Sequence, residues 1–244
     1  MDNFQVEHEY PRVYEYPPLL AGHLIKRYQR FFADIELETG EIITAHCPNT
    51  GPMTGVCLAG SPVQVSVHDN PKRKLKYTWE MIWVDETWVG INTGLPNRVT
   101  QRLLELRCIP ALADYERLRR EVVYGQENSR VDFVLTTAAG ESLYVEVKNT
   151  TWCQGSLGLF PDTVTTRGQK HLRELKAMLP QTRASMLYFI NRGDCSEFAP
   201  GDEADPEYGR LLREAVQAGL EVYPCRFEVT PTQVLYLGCA SLVL

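Results

Sequence analysis

A chain of 244 residues carries 25 Lys plus Arg against 31 Asp plus Glu, a formal charge of −6. Its 44% hydrophobic and 23% charged residues are those of a folded globular protein, which excludes the disordered and fibrous classes. The acidic balance excludes a protein that coats a polyanion by bulk positive charge, but leaves room for a local basic groove. Seven cysteines (Cys47, Cys57, Cys108, Cys153, Cys195, Cys225 and Cys239) are scattered without a C-x-x-C pair, so neither a disulfide framework nor a zinc ribbon is expected. The N-terminal stretch MDNFQVEHEYPRVYEYP lacks the basic and apolar regions of a signal peptide. The apolar tail QVLYLGCASLVL is too short to span a bilayer, so a reducing, cytoplasmic setting without a membrane partner is expected.

The first ninety or so residues read as β-structure. FFADIELETGEIITAHCP predicts two strands around Thr39-Gly40, and SPVQVSVHDN alternates Val63, Val65 and Val67 with polar residues. KYTWEMIWVDETWVGINT adds two aromatic and β-branched runs. About five short strands with Gly, Pro and Asn turns fit an OB-like β-barrel over residues 1–95. A sandwich would need about seven.

The pattern changes at Pro96-Asn97, where RVTQRLLELRCI has helical spacing and Asn97 is placed to cap it. Three strand-like runs follow, EVVYG, RVDFVLTT and SLYVEVKN, the last two joined by an Ala-Ala-Gly-Glu turn. After a Gly-rich loop come a helix in TTRGQKHLRELKAML, a buried strand in ASMLYFI, a helix in PEYGRLLREAVQAGL and a strand region in EVYPCRFEV. The order predicts an α/β domain with a mixed sheet over residues 96–244. The acidic run GDEADPE after Pro200 reads as surface.

Chemistry concentrates in the second half. Asp132 lies in RVDFVL, and Glu146 and Lys148 follow in YVEVKN after thirteen intervening residues. Paired as a hairpin, the runs place Glu146 and Lys148 on one strand face, Val145 and Val147 on the other, and Asp132 beside Glu146. Converging carboxylates repel unless a hard cation such as Mg²⁺ or Mn²⁺ binds them. A neighbouring lysine can then orient water and stabilise charge developing on phosphate. This D-x(n)-E-x-K arrangement is that of metal-dependent phosphodiesterases, with Asp132 and Glu146 as metal ligands and Lys148 positioning water. A Glu and a Lys alternating on a solvent-facing strand are the ordinary competing explanation. Glu121 is a candidate third catalytic carboxylate, or a strand-edge charge paired with Arg119 or Arg120. His171 is near this chemistry but is assigned no catalytic role.

Basic residues gather in three places. Lys72, Arg73, Lys74 and Lys76 stand beside Tyr77 and Trp79, and Arg27 and Arg30 flank Tyr28. Interleaved with aromatics on a small barrel, they suit a nucleic-acid groove with stacking platforms; a solvated loop is the alternative. Arg167, Gln169 and Lys170 open the helix after the hairpin, where backbone N–H groups favour phosphate. His46, Cys47 and Cys57 lack a fourth metal ligand at useful spacing, and buried thiols are the expectation for the cysteines.

At RYQRFFAD, HCPNTGPMTG, NPKRKLKYTWE, NRVTQ, EVVYGQENSRVDFVL, YVEVKN and FPDTVTTRGQKHLREL the chain resembles, in order, the sugar fermentation stimulation (SfsA) family. The resemblance implies an N-terminal OB-like domain and a PD-(D/E)XK nuclease-like domain. It also implies DNA binding without sequence preference and a regulatory role in sugar, particularly maltose, metabolism. The motif falls on Asp132, Glu146 and Lys148, with Val131 where the motif name has proline. The expectation is therefore a DNA-binding protein with Mg²⁺- or Mn²⁺-dependent phosphodiester hydrolysis. The alternatives are a non-catalytic DNA-binding regulator that keeps the nuclease fold, and RNA or single-stranded nucleic acid as ligand. The oligomeric state stays open, a dimer included.

Overall fold

Alternating burial explains most of the strands and where they sit. The structure, a computed structural model, describes residues 10–244; residues 1–9, which hold the start of the stretch read for a signal peptide, lie outside it. The strands are β1 (Arg12–Glu15), β2 (Leu20–Tyr28), β3 (Phe32–Leu37), β4 (Ile42–His46), β5 (Pro62–Val67), β6 (Tyr77–Val84) and β7 (Thr87–Gly90). After α1 (Leu95–Glu105) come β8 (Arg117–Tyr124), β9 (Ser129–Thr136), β10 (Ser142–Thr150), β11 (Trp152–Gln154), β12 (Leu157–Phe160) and α2 (Thr166–Met178). The chain ends with β13 (Arg183–Ile190), β14 (Glu197–Pro200), α3 (Pro206–Gln217), β15 (Glu221–Val229), β16 (Gln233–Cys239) and β17 (Ser241–Leu242).

Strands β2 to β7 form one sheet in the order β4-β3-β2-β5-β6-β7, and β4 also pairs with β6 through Ala45↔Tyr77 and His46↔Thr78. That pairing closes the sheet into a barrel filled by Leu24, Ile35, Ile43, Val63, Val65 and Trp79. The barrel has six strands where five were expected. The extra one is β2, whose weak alternation buries only Gly22 and Leu24 fully. A Cβ at Gly22 would sit 2.5 Å from the Glu36 carbonyl, so a glycine lets β2 lie against β3.

The large second sheet runs β1-β16-β15-β13-β10-β9-β8. Strands β10, β13 and β15 are parallel to one another and the remaining pairs antiparallel, the mixed sheet expected. Its edge strand β1 corrects the expectation that residues 1–95 all belong to the barrel: Val13 and Tyr16 are buried in the second core, with Val145, Val147 and Phe189. The opposite face packs α2 and α3 through Leu172, Leu175, Tyr208 and Leu211. The Gly-rich segment expected as a loop holds the β11–β12 hairpin, turning at Gly155 with φ +62°.

Two local expectations change. Helix α1 starts at Leu95 with Gly94 as its cap, so Asn97 lies inside the first turn and its amide is free for other work. In the run GDEADPE, Asp205 is 1% exposed rather than on the surface. Its carboxylate caps α3 at the Tyr208 amide (3.0 Å) and accepts from the Thr165 amide (2.8 Å) and Gln169 (2.9 Å), fixing both helix starts to each other. No helix among the described residues is long and apolar enough to cross a membrane.

Barrel and second sheet are joined through buried polar contacts. Gly90 N–H donates to the Asn191 carbonyl (2.9 Å), and Asn191 Nδ2 donates to the Gly90 carbonyl (3.0 Å). Arg192, 2% exposed, reaches Asp85 of the barrel at 3.1 Å and also binds Asp194. A Cβ on Gly90 would collide with the Asn191 amide. Gly90→Ala is therefore expected to cost about 1–3 kcal/mol. Urea unfolding measures it, and an unchanged midpoint would show that the junction yields to the extra methyl.

Candidate functional site

The β9–β10 ladder pairs Leu143↔Leu135 and Tyr144↔Val134, and ends at Val145↔Phe133. One step further would set Glu146 opposite Asp132, and there the strands part. The Asp132 side chain takes over from the ladder: its Oδ2 accepts from the Val147 amide at 2.8 Å, and its Oδ1 accepts from Asn97 of α1 at 2.6 Å. Val145 and Val147 point into the core, so alternation sends Glu146 and Lys148 toward α2.

Glu146 is 3% exposed. Its Oε1 accepts from Lys148 Nζ at 2.6 Å, and His171 Nδ1 of α2 stands 2.5 Å from the same oxygen, off the line of a hydrogen bond. Its Oε2 is buried without a partner, as are the Tyr124 hydroxyl and Glu174 Oε2. Burial raises the Glu146 carboxyl, but Lys148 and His171 together outweigh it and hold the group below its usual range. Asp132 goes the other way: burial, then the Glu146 charge, push it up to about 6 despite the Val147 amide and Lys148. One carboxylate is kept ionised and the other is poised, the separation that makes neighbouring acids chemically distinct.

Asn97, His171, Glu174 and Tyr124 were not assigned to the site by sequence. Burial and the charges of Glu146, Glu174 and Asp132 raise the Tyr124 hydroxyl far above its usual value. Glu174, one turn after His171, accepts from the Glu127 amide at 2.7 Å and fills the space where a Gly125 side chain would lie. The signal was present: His171 and Glu174 occupy buried positions of α2 beside Leu172 and Leu175, where a core-facing helix is normally apolar.

Other expected residues fall elsewhere. Glu121, in a left-handed conformation at φ +51°, is half-exposed and 3.8 Å from Arg130, not from Arg119 or Arg120. Trp79 is no stacking platform: it is fully buried in the barrel core, its indole donating to the Met81 carbonyl at 3.0 Å. Arg27 points inward and holds the Asn49 and Gly51 carbonyls at 3.0 and 2.9 Å. Gln169 binds Asp205, Lys170 donates to the Glu127 carbonyl at 2.6 Å, and Arg73 to Thr78 at 2.8 Å. Lys72, Lys74 and Lys76 remain exposed on the β5–β6 loop, and Arg30 and Arg167 are exposed too. Cys47 is buried as expected, its thiol 3.3 Å from the Asn49 carbonyl. Cys153, Asp194 and Cys195 converge, but Asp194 is clamped by the Arg192 guanidinium at 2.6 Å, whose charge opposes a cation.

The raised Asp132 carboxyl has a thermodynamic consequence. A folded pKa of about 6 above the ordinary 3.8 gives stability that is complete below about pH 4 and lost as pH rises through 6. In the cation-free protein, Asp132→Asn is expected to gain about 1–3 kcal/mol at pH 7 and nothing below pH 4. Urea unfolding with a chelator at both pH values measures this; a loss of stability at pH 7 contradicts it.

Residues 94–233 match the sugar fermentation stimulation protein RE domain, and residues 25–91 the SfsA N-terminal OB domain. A sugar fermentation stimulation protein homolog of Cyanothece sp. is 66% identical over 235 residues, 95% of this chain and 98% of that protein. The homolog of Synechococcus elongatus is 67% identical over 236 residues, 96% of this chain and 99% of that one. The solved structure of Pyrococcus furiosus SfsA in complex with Ca²⁺ shares the fold, with a TM-score of 0.88 and 23% identity over 96% of this chain and 100% of its own. With both halves matched in order, an OB barrel followed by a mixed-sheet α/β domain, the chain belongs to the sugar fermentation stimulation protein family.

Proposed function

We propose that this protein binds DNA and hydrolyses phosphodiester bonds with a divalent cation, Mg²⁺ or Mn²⁺, held by Asp132 and Glu146. The observation that carries the proposal is the Glu146 carboxylate, buried with one oxygen anchored by Lys148 and the other left without a partner. Each Asp132 oxygen accepts one hydrogen bond and so keeps a lone pair. Buried, hard oxygen donors of this kind fit a divalent cation. The Ca²⁺ named for the Pyrococcus furiosus structure supports the same donor chemistry.

When bound, such a cation supplies charge for the phosphate and lowers the pKa of water. The chain's own residues do the positioning. Asn97 and the Val147 amide hold both oxygens of Asp132, while Lys148 and His171 keep Glu146 anionic. Lys148 donates one hydrogen bond from its ammonium to Glu146, leaving two N–H groups for a water or a phosphate oxygen. Lys72, Lys74 and Lys76 are available to hold the strand's phosphates, with Arg30 and Arg167 as further cations.

A non-catalytic, DNA-binding regulator is the second reading. The Lys148–Glu146 pair at 2.6 Å favours it, since that ion pair partly balances the buried carboxylate without a cation. Either reading is compatible with a cytoplasmic role in regulating sugar, particularly maltose, metabolism.

Plasmid and branched DNA incubated with Mg²⁺ or Mn²⁺ test the first reading. Cleavage by the wild type is expected to fall by about 10²-fold or more in Glu146→Ala and Lys148→Ala. Activity surviving both substitutions sinks the assignment. Metal-free binding that Asp132→Asn leaves unchanged or tightens, without cleavage, supports the regulator. Replacing Lys72, Lys74 and Lys76 with Ala is expected to flatten the salt dependence of duplex binding by about 2.7 in log–log slope, at 0.9 per phosphate contact.

A further inference from the structure

Two cysteines 42 residues apart in the chain meet beside the domain junction, Cys153 on β11 and Cys195 in the loop between β13 and β14. Their sulfurs lie 3.0 Å apart, with the Cys195 thiol donating to Cys153 and the Cys153 thiol donating onward to the Gly155 carbonyl at 2.9 Å. Strand register brings them together. Cys153 pairs with Gly158 of β12, and the Cys195 side chain fills the space above that glycine, where an added Cβ would already touch Cys195 Sγ at 3.5 Å. Arg192 fixes the same loop by holding the Thr151 carbonyl at 3.2 Å and Asp194 at 2.6 Å.

A core cysteine is ordinarily a small hydrophobe whose thiol does nothing. These two thiols are unequal. Cys153 is half-buried and Cys195 fully buried. The hydrogen bond from Cys195, then the Arg192 charge, hold the Cys153 thiol below its usual value, although burial, Asp194 and Asp85 oppose them. Giving that hydrogen bond, together with burial, pushes the Cys195 thiol far up. A reachable sulfur that ionises readily, in contact with a second, protected thiol, is the arrangement that oxidants convert to a disulfide.

We propose that Cys153 and Cys195 form a peroxide-reactive dithiol, with Cys153 as the nucleophile and Cys195 as the resolving thiol. The Cys153 thiolate attacks one oxygen of hydrogen peroxide and the O–O bond breaks. Cys153 becomes a sulfenic acid, and the departing hydroxide takes up the proton that the thiol had shed. The Cys195 sulfur then attacks the Cys153 sulfur, the S–O bond breaks, and hydroxide leaves with the Cys195 proton as a second water. The thiols lose two electrons and two protons, and the peroxide is reduced to two waters. The half-buried setting of Cys153 favours this small oxidant over a bulky disulfide. The new bond ties the β11–β12 hairpin to the loop carrying Arg192, which reaches Asp85 of the barrel. This chemistry uses neither Asp132 nor Glu146 and is independent of the nucleic-acid reading.

Peptide mapping of the folded full chain tests it, after brief exposure to a small excess of hydrogen peroxide and alkylation of the remaining thiols. Wild type is expected to yield a Cys153–Cys195 disulfide that dithiothreitol reverses. Cys153 should be modified roughly ten-fold faster than the half-buried Cys57 and Cys108, whose thiols burial raises. Cys195→Ser should stop at the first step, leaving a Cys153 sulfenic acid that dimedone traps, and Cys153→Ser should leave Cys195 unmodified. Urea midpoints of the reduced variants check that the fold is kept, and the wild-type map and rates decide the matter if a change at buried Cys195 unfolds the chain. Cys153 and Cys195 still free in wild type while Cys57 or Cys108 is oxidised overturns the proposal. Oxidation of Cys195 at the wild-type rate in folded Cys153→Ser overturns it too. So does Zn²⁺ that stays bound to wild type through a chelator wash and blocks the reaction, by making the pair a metal site.

Discussion

The parting of β9 from β10 is the constraint on which the candidate site depends. Had the ladder continued, the Val147 amide would have a backbone partner and the two strands would hold their acidic side chains as an ordinary sheet face. Instead the Asp132 carboxylate accepts that amide at 2.8 Å, so backbone satisfaction and carboxylate orientation are one interaction. Asn97 completes the hold from α1, which ties the site to the core on the far side of the sheet.

The same geometry makes two neighbouring carboxylates unlike. Glu146 is deeper but has Lys148 and His171 against one oxygen, and stays charged. Asp132 has neutral donors and a negative neighbour, and is raised. Burial alone would raise both; the position of one lysine and one histidine decides which is the anion. A cation entering between them would remove the repulsion and satisfy the free oxygen of Glu146.

The domain junction bears on this site as well. Asn191 and Arg192 follow β13 and bind the barrel at Gly90 and Asp85, while β13 lies beside β10 with Lys148 opposite Tyr188. Asn191 also donates to the Asn149 side chain, near the end of the site strand β10. Buried hydrogen bonds of this kind are direction-specific, so the barrel holds a defined position over the end of β10.

Period-2 valines and helical leucines were legible in the sequence because burial of an apolar face imposes its own spacing. From that spacing came the barrel, the mixed sheet, and the placement of Glu146 and Lys148 on one face. Hairpin pairing of the two runs added Asp132 as their partner, and the family resemblance set the three in a nuclease-like motif. The strand β2 escaped because Gly22 and exposed charges hide its alternation, and β1 because nothing local tells an edge strand which sheet it will join. Asn97, His171 and Glu174 were brought in by packing: they lie 35, 25 and 28 residues from the Asp132 or Glu146 they serve in the first two cases and from Glu146 in the third. Arg27, Gln169 and Lys170 look like free cations or donors in sequence, yet the folded chain uses them on its own carbonyls and on Asp205. Sequence by itself determined which residue types could share a face, since that depends on local periodicity. Only tertiary structure decided which charges are spent within the protein and which carboxylate is held ionised, because those outcomes depend on burial and on partners distant along the chain.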